Sequence, residues 1–309
     1  MARGWRVLDA TGFEGTVGGA RGRVTFAELG GSSRAVAAED VAVILLGSRA
    51  SLDATALHYA AKHDIAVLFA DWKSVPFGGF YPWAEHTRVG ARHLAQAQLS
   101  LPRRKNAWQQ LIRAKVAGQA SNLSAINPRA YARMMAMAAQ VKSGDPTNIE
   151  GAAARYYWSR LFGGEAFARD ADGIDGLNSM LNYGYTVLRG FGIRAVLGAG
   201  LSPSLGLFHR GRSNYFNLVD DLIEPFRPAI DNVVARFDQD ASLDETQTKR
   251  AVVAAASQRF GADGTRIPAV LDDLAQQLGR YVEGGVARLS VPRWCGPPAI
   301  DQVADDGEE

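Results

Sequence analysis

Short β-branched runs broken by glycine fill the first eighty residues, and apolar positions at a spacing of about 3.6 take over after them. WRVLD, GTVGGARGRVTFAEL and VAVILLG read as strands. Between VAVILL and IAVLFAD lies SLDATALHYAAKHD, where Ser51 is placed to cap a helix and Leu52, Ala56, Leu57 and Ala60 share a face. That pattern predicts a strand, helix, strand unit. No G-x-G-x-x-G follows the first strand, so a nucleotide-binding enzyme is the least favoured reading of this unit. The Gly-, Pro- and aromatic-rich run KSVPFGGFYP marks a boundary near residue 80.

In NAWQQLIRAKVAGQA, residues 106–120, Trp108, Leu111, Ile112 and Val116 form one stripe, which Lys115 and Gln119 interrupt. Further helices are predicted in AARYYWSRLF, in LNSMLNYGYTVLRGFGIRAVLGAG, in TKRAVVAAASQRFG with Gly261 ending it, and in PAVLDDLAQQLGRYVEGG. The expected fold class is α+β, mainly α. A strand-rich domain spans residues 1–80, a large helical domain residues 86–286, and a partly disordered tail residues 287–309, whose last nine residues, DQVADDGEE, hold five acids and no base.

The chain has 309 residues, 47% hydrophobic, which is enough to bury a full core. One cysteine, Cys295, excludes an internal disulfide, MARGWRVLD lacks a secretory apolar run, and no apolar run is long enough to span a bilayer. These features predict a cytoplasmic protein with no membrane partner. The net charge of +2 is unevenly spread: residues 86–142 hold ten Lys/Arg and no acid. Such a segment suits a polyanion through phosphate contact, although a solvated helix surface gives the same count.

Chemistry concentrates in FHRGRSNYFNLVDDLIEPFRP, residues 208–228. On a helical wheel Leu218, Val219, Leu222, Ile223 and Phe226 form an apolar arc, with Asp220, Asp221 and Glu224 opposite. A solvated acidic face explains that, but Asp221 and Glu224 at i, i+3 also present both carboxylates to one point, with His209 just upstream. Carboxylate with imidazole suits Mn²⁺ or Mg²⁺. Thr147 and Glu150 have the spacing of a capping box, yet Glu150 also shares a face with Ala154, Tyr157, Trp158 and Leu161. A carboxylate on that side needs a partner: a metal shared with His209 and Glu224, or simply Arg155 or a backbone N–H. GAGLSPSLGLF has the glycines of a phosphate loop without the G-K-[ST] ending and reads as a helix end and turn.

The blocks NIEGAAARYYW, LNYGY, GAGLSPSLGLFHRGRSN and FNLVDDLIEPFRP, in this order and spacing, resemble the first CRISPR-associated protein, the integrase of spacer acquisition, in its type II form. The resemblance extends to EHTRVGARH and the strand, helix, strand unit before it. It implies a strand-rich N-terminal dimerisation domain and a helical C-terminal domain holding one divalent metal, Mg²⁺ or Mn²⁺. Carried over by position, it makes Glu150, His209 and Glu224 metal ligands and catalytic residues, with Asp221 auxiliary. The implied activity is transesterification, joining the 3′-OH ends of new spacer DNA into the CRISPR leader-repeat without ATP. Implied partners are double-stranded DNA, a second copy of the chain and the second CRISPR-associated adaptation protein. Arg88, Arg92, Arg113, Lys115, Arg210 and Arg212 are expected DNA contacts. The alternative is a DNA-binding scaffold without catalysis.

Overall fold

A computed structural model describes residues 4–71, 76–83, 86–163, 167–174, 176–238, 241–261 and 263–296. The acidic stretch 301–309 lies outside the described residues. Strands come first: β1 (Arg6–Ala10), β2 (Gly15–Ala20), β3 (Arg23–Glu28), β4 (Ser33–Ala37), β5 (Val41–Leu46) and β6 (Ala50–Leu52). Helix α1 (Ala54–Lys62) then leads into β7 (Ala66–Ala70) and β8 (Pro76–Phe80). Helices follow: α2 (Val89–Ala97), α3 (Leu101–Leu123), α4 (Pro128–Gln140), α5 (Ile149–Leu161) and α6 (Gly176–Gly198). The last are α7 (Asn217–Ile223), α8 (Arg227–Val234), α9 (Thr246–Ala255) and α10 (Ile267–Val282). The chain is therefore α+β and mainly helical, strands first, as its pattern predicts.

Two four-stranded sheets form, in the orders β1-β5-β7-β8 and β4-β3-β2-β6. β5 pairs in parallel with β1 and β7, and β8 closes its sheet antiparallel to β7. The β5–α1–β7 unit matches expectation, but its cap does not. Asp53 caps α1 by accepting from Thr55 N at 2.9 Å, because Ser51 is spent in β6, which pairs with β2.

Every residue of β5 is buried. Such an unbroken apolar strand needs cover on both faces. Ile44 and Leu46 pack among strand residues such as Val17 and Val24, whereas Val43 and Leu45 join the core of the helical domain. α6 makes that second contact: a methyl on Gly190 would sit 2.9 Å from Val43, so only glycine lets the helix lie this close. Polar ties reinforce the seam. Lys249 pairs with Asp9 at 2.7 Å, Tyr183 donates to the same carboxylate, and Arg194 donates to Gly4 O at 2.6 Å. The element pattern changes near residue 80, while the core continues across it.

α9 stops at Ala255 rather than Gly261, because the chain turns to sink Phe260 against Phe226, ring centroids 4.7 Å apart, and to bridge Arg259 with Arg266. Within the tail, residues 287–296 cross the helices. Arg288 donates to Gln110 at 2.9 Å, and Trp294 is fully buried. The Trp294 indole donates to Asn122 Oδ1 at 2.7 Å, and Asn122 Nδ2 donates to Pro228 O at 2.7 Å and to the Tyr157 hydroxyl at 2.8 Å. Tyr157 and Tyr185 both donate to Asp231.

Two outcomes follow from this buried relay. Trp294→Ala removes a core indole and strands Asn122, so unfolding free energy from denaturant titration is expected to drop by about 3 to 5 kcal/mol. Burial, only partly offset by the hydrogen bonds from Tyr185 and Tyr157, pushes the Asp231 carboxyl from 3.8 up to about 7. Between those values the unfolded chain has lost a proton that the folded chain keeps, so stability declines as pH rises through that window. Asp231→Asn is expected to flatten that decline in denaturation curves measured across the same range.

Candidate active site

Three elements converge beside α6. The segment from 199 to 216 leaves the end of α6 through Gly200, at φ +60, so GAGLSPSLGLF is the helix end and turn that its sequence predicts. Asn217, at the start of α7, pins this loop: its Oδ1 accepts from Gly211 N at 3.0 Å and its Nδ2 donates to Gly211 O at 3.1 Å. Asp221, one turn later, is wholly buried. Its Oδ2 accepts from Leu207 N at 2.6 Å and Phe208 N at 3.0 Å, and its Oδ1 accepts from His209 N at 3.2 Å. The same Oδ1 lies 2.7 Å from His209 Nδ1.

One carboxylate thus fixes both the backbone and the ring of His209. With Nδ1 committed to Asp221, Nε2 is the ring atom left for chemistry. The Asp221 contact raises the imidazole pKa above its ordinary value despite burial, which acts the other way. Burial raises the Asp221 carboxyl in turn, against the His209 ring and amides that lower it. Trp108 of α3 supports the loop, stacked on Phe208 at 4.3 Å and meeting the edge of His209 at 5.8 Å.

Glu150 enters from α5. Its helix is not started by a Thr147 capping box. Asn148 caps it from a left-handed conformation, φ 51, accepting from Gly151 N, and Asp145 accepts from Ile149 N and Glu150 N at 2.9 Å each. Freed from capping, the Glu150 side chain meets Lys115 Nζ at 2.6 Å. Glu224 follows α7 at the head of the 3₁₀ turn Glu224–Phe226 and is also 2.6 Å from Lys115 Nζ. Glu224 Oε1 pairs with Arg227 Nε at 3.1 Å, and the Arg227 guanidinium lies over the Tyr185 ring at 4.4 Å.

The acidic side of α7 is therefore not a solvated face. Asp221 is 0% and Glu224 5% exposed. Burial alone would raise the Glu224 carboxyl, but Arg227 and then Lys115 outweigh it and hold the pKa below the usual glutamate value. Burial would likewise strip Lys115 of its proton, but Glu224 and Glu150 keep it charged. His209 and Glu224 each shift the other's titration, so they sit in one field. Glu224 Oε2 makes no hydrogen bond of good geometry and is held by charge alone.

Two carboxylates and an imidazole nitrogen suit Mg²⁺ or Mn²⁺ in donor type, and Glu224 Oε2, without a hydrogen bond, has only the Lys115 charge against it. Among the described residues no three His, Cys, Asp or Glu side chains are grouped to hold an ion. The cation gripped by both glutamates is Lys115.

The expected DNA contacts divide. Arg210 and Arg212 are exposed on the His209 loop. Arg88 is exposed but paired with Glu283 at 2.5 Å. Arg113 spends its guanidinium on Val141 O at 3.1 Å and Ala139 O at 3.3 Å. Arg92 is 5% exposed, bonded to Ala199 O at 2.5 Å and Glu283 at 3.2 Å, which removes it from any DNA-facing surface. Lys115, turned inward to the glutamates, leaves that surface too. Arg227 was not anticipated, although its i, i+3 spacing from Glu224 was the available signal.

A family model described as CRISPR associated protein Cas1 matches residues 11–256. The chain belongs to the Cas1 family. The "CRISPR-associated endonuclease Cas1" of Neisseria meningitidis serogroup C (strain 8013) is 38% identical over 215 residues, 69% of this chain and 70% of that protein. Among solved structures, a casposase bound to integration product superposes with a TM-score of 0.74 at 17% identity, covering 97% of this chain and 95% of that one. A chain of a Cas6-RT-Cas1–Cas2 complex gives 0.74 at 17% identity, over 94% of this chain and 36% of that longer one. Both structures share the fold.

Asp221→Asn keeps the shape of the side chain but removes the charge. The His209 ring, followed by its proton resonances in an NMR pH titration, is expected to titrate at lower pH than in the wild type, since burial then acts unopposed by Asp221. An unchanged titration would show that Asp221 does not set the state of the ring.

Proposed function

We propose that the protein is a divalent-metal-dependent DNA integrase and endonuclease of CRISPR adaptation, joining the 3′-OH ends of new spacer DNA into the leader-repeat by transesterification. The observation that carries this reading is the meeting of Glu150 and Glu224, from separate helices, at one cation in the field of an Asp221-oriented His209, within a Cas1-family chain. Glu150, Glu224 and His209 Nε2 are the atoms that would hold Mg²⁺ or Mn²⁺, and Asp221 acts through His209. An ion bound there would supply charge stabilisation at the reacting phosphodiester. The protein's own role is positioning. Asp221 fixes the imidazole, Arg227 holds Glu224, and the exposed Arg210 and Arg212 offer charge to the DNA backbone beside His209.

The partners in this reading are double-stranded DNA, a second copy of the chain through the strand-rich domain of residues 1–80, and a Cas2-type adaptation protein. The Cas6-RT-Cas1–Cas2 complex and the casposase bound to integration product among the structural relatives support a Cas2-type partner and a nucleic-acid integration substrate. The helical domain of residues 86–286 carries catalysis, and the protein works in the cytoplasm. Among the described residues no helix is long and apolar enough to cross a membrane.

A second reading, a DNA-binding scaffold without catalysis, draws on Lys115 and Arg227, whose two positive charges already balance both glutamates. Strand joining into a supercoiled plasmid carrying the leader-repeat separates the two. With Mn²⁺ or Mg²⁺, Glu150→Ala, His209→Ala and Glu224→Ala are each expected to lower joining by about 10²-fold or more, with DNA affinity at fixed salt little changed. Joining by these variants at the wild-type rate, or none by the wild type at any metal concentration, would favour the scaffold.

A further inference from the structure

Lys115 stands on the inward side of α3, where its neighbours Ile112, Ala114 and Val116 are buried. Its side chain is 12% exposed, and its Nζ lies 2.6 Å from an oxygen of each glutamate. A lysine ending in an apolar stripe must bring its charge to a partner, and here it brings it to two. The result is a balanced cluster: Glu150 and Glu224 supply two negative charges, Lys115 and Arg227 two positive ones. Arg227 takes the other face of Glu224, through Oε1, so among the described residues it is the Lys115 ammonium that lies between the carboxylates.

We propose that Lys115 is a tethered competitor for divalent metal: it holds Glu150 and Glu224 together, and must leave them before an ion can be gripped by the same oxygens. This rests on the reading of Glu150 and Glu224 as metal ligands and adds how ion entry is controlled. A doubly charged ion and an ammonium cannot both touch Glu150 Oε1 and Glu224 Oε2 without facing each other at contact distance in a largely dry site. Ion entry is then an exchange of one cation for another. Loading requires enough ion to displace a neighbour attached by its own side chain. The exchange keeps the glutamates from repelling each other apart, and it raises the charge between the carboxylates by one, since a doubly charged ion takes the place of a singly charged ammonium. That extra charge suits an incoming phosphodiester.

The competition has a sign that a purely structural lysine lacks. In Mn²⁺ titrations of the full chain by calorimetry, Lys115→Met is expected to tighten Mn²⁺ binding about tenfold while lowering the melting temperature in EDTA. Lys115→Arg, which keeps a cation between the carboxylates, is expected to bind Mn²⁺ far closer to wild type than Lys115→Met does. Unchanged or weaker binding by a folded Lys115→Met overturns the proposal. Should Lys115→Met not fold, wild-type crystals grown with EDTA and with Mn²⁺ decide. Nζ within about 3 Å of both glutamates in the first and withdrawn in the second supports competition, and Nζ in place beside a bound ion overturns it. Glu150→Ala and Glu224→Ala provide the control. Loss of Mn²⁺ binding in both, with Lys115→Met unchanged, refutes only the competition, whereas wild-type binding in both refutes the ligand reading itself.

Discussion

Burying carboxylates imposes the condition on which this protein is built. Asp221 and Glu224 lie inside a helical core, where an unpaired charge is strongly destabilising and each lone pair needs a donor or a cation. Asp221 meets the condition with three consecutive backbone amides and an imidazole. Glu224 meets it with a guanidinium on one side and an ammonium on the other. Asp221 draws on the loop just before α7 and Glu224 on a lysine far back in α3 that also meets Glu150, so the requirement of charge balance fixes how α3, α5, α7 and the His209 loop meet. Replacing either carboxylate removes an organising centre of this packing.

The fold supplies a rigid mount for this arrangement. α6 runs through the middle of the helical domain and touches β5 and β7 on one side and α7 to α10 on others. Because Gly190 lets it lie against Val43, the strand-rich domain is fastened to the same helix that positions α7. Gly192 adds to this on the opposite side, where a methyl would lie 2.7 Å from Val219. Strain or loosening in the sheet therefore reaches the site through α6, which touches both.

Much of this was legible in the sequence, and the failures have physical causes. Strand order of appearance, the helical change near residue 80 and the pairing of His209 with Asp221 follow from periodicity and spacing. A helical wheel could not tell that the polar side of α7 is covered, because the cover comes from a loop and from α3. Thr147 and Glu150 had the spacing of a capping box, but a left-handed Asn148 and the reach of Asp145 took the capping task instead. Arg92 and Lys115 were counted with a basic surface since charge counts carry no direction. The interruption of the α3 stripe at Lys115 was the visible sign that this lysine points inward. The unbroken run VAVILL likewise implied that β5 has two dry faces, hence a core shared across the apparent boundary.

The indole of Trp294 reaches an asparagine 172 positions earlier in the chain. During synthesis at about 5 to 20 residues per second, Asn122 emerges roughly ten to thirty seconds before its partner does. Once α8 has also been made, and until Trp294 follows, α3 and α8 line a half-built cleft, with the side chain of Asn122 and the surface of Gly118 open to water or to a chaperone. Packing of the centre thus waits for the tryptophan, and chains halted short of it would present a sticky, wet groove where the finished molecule has none.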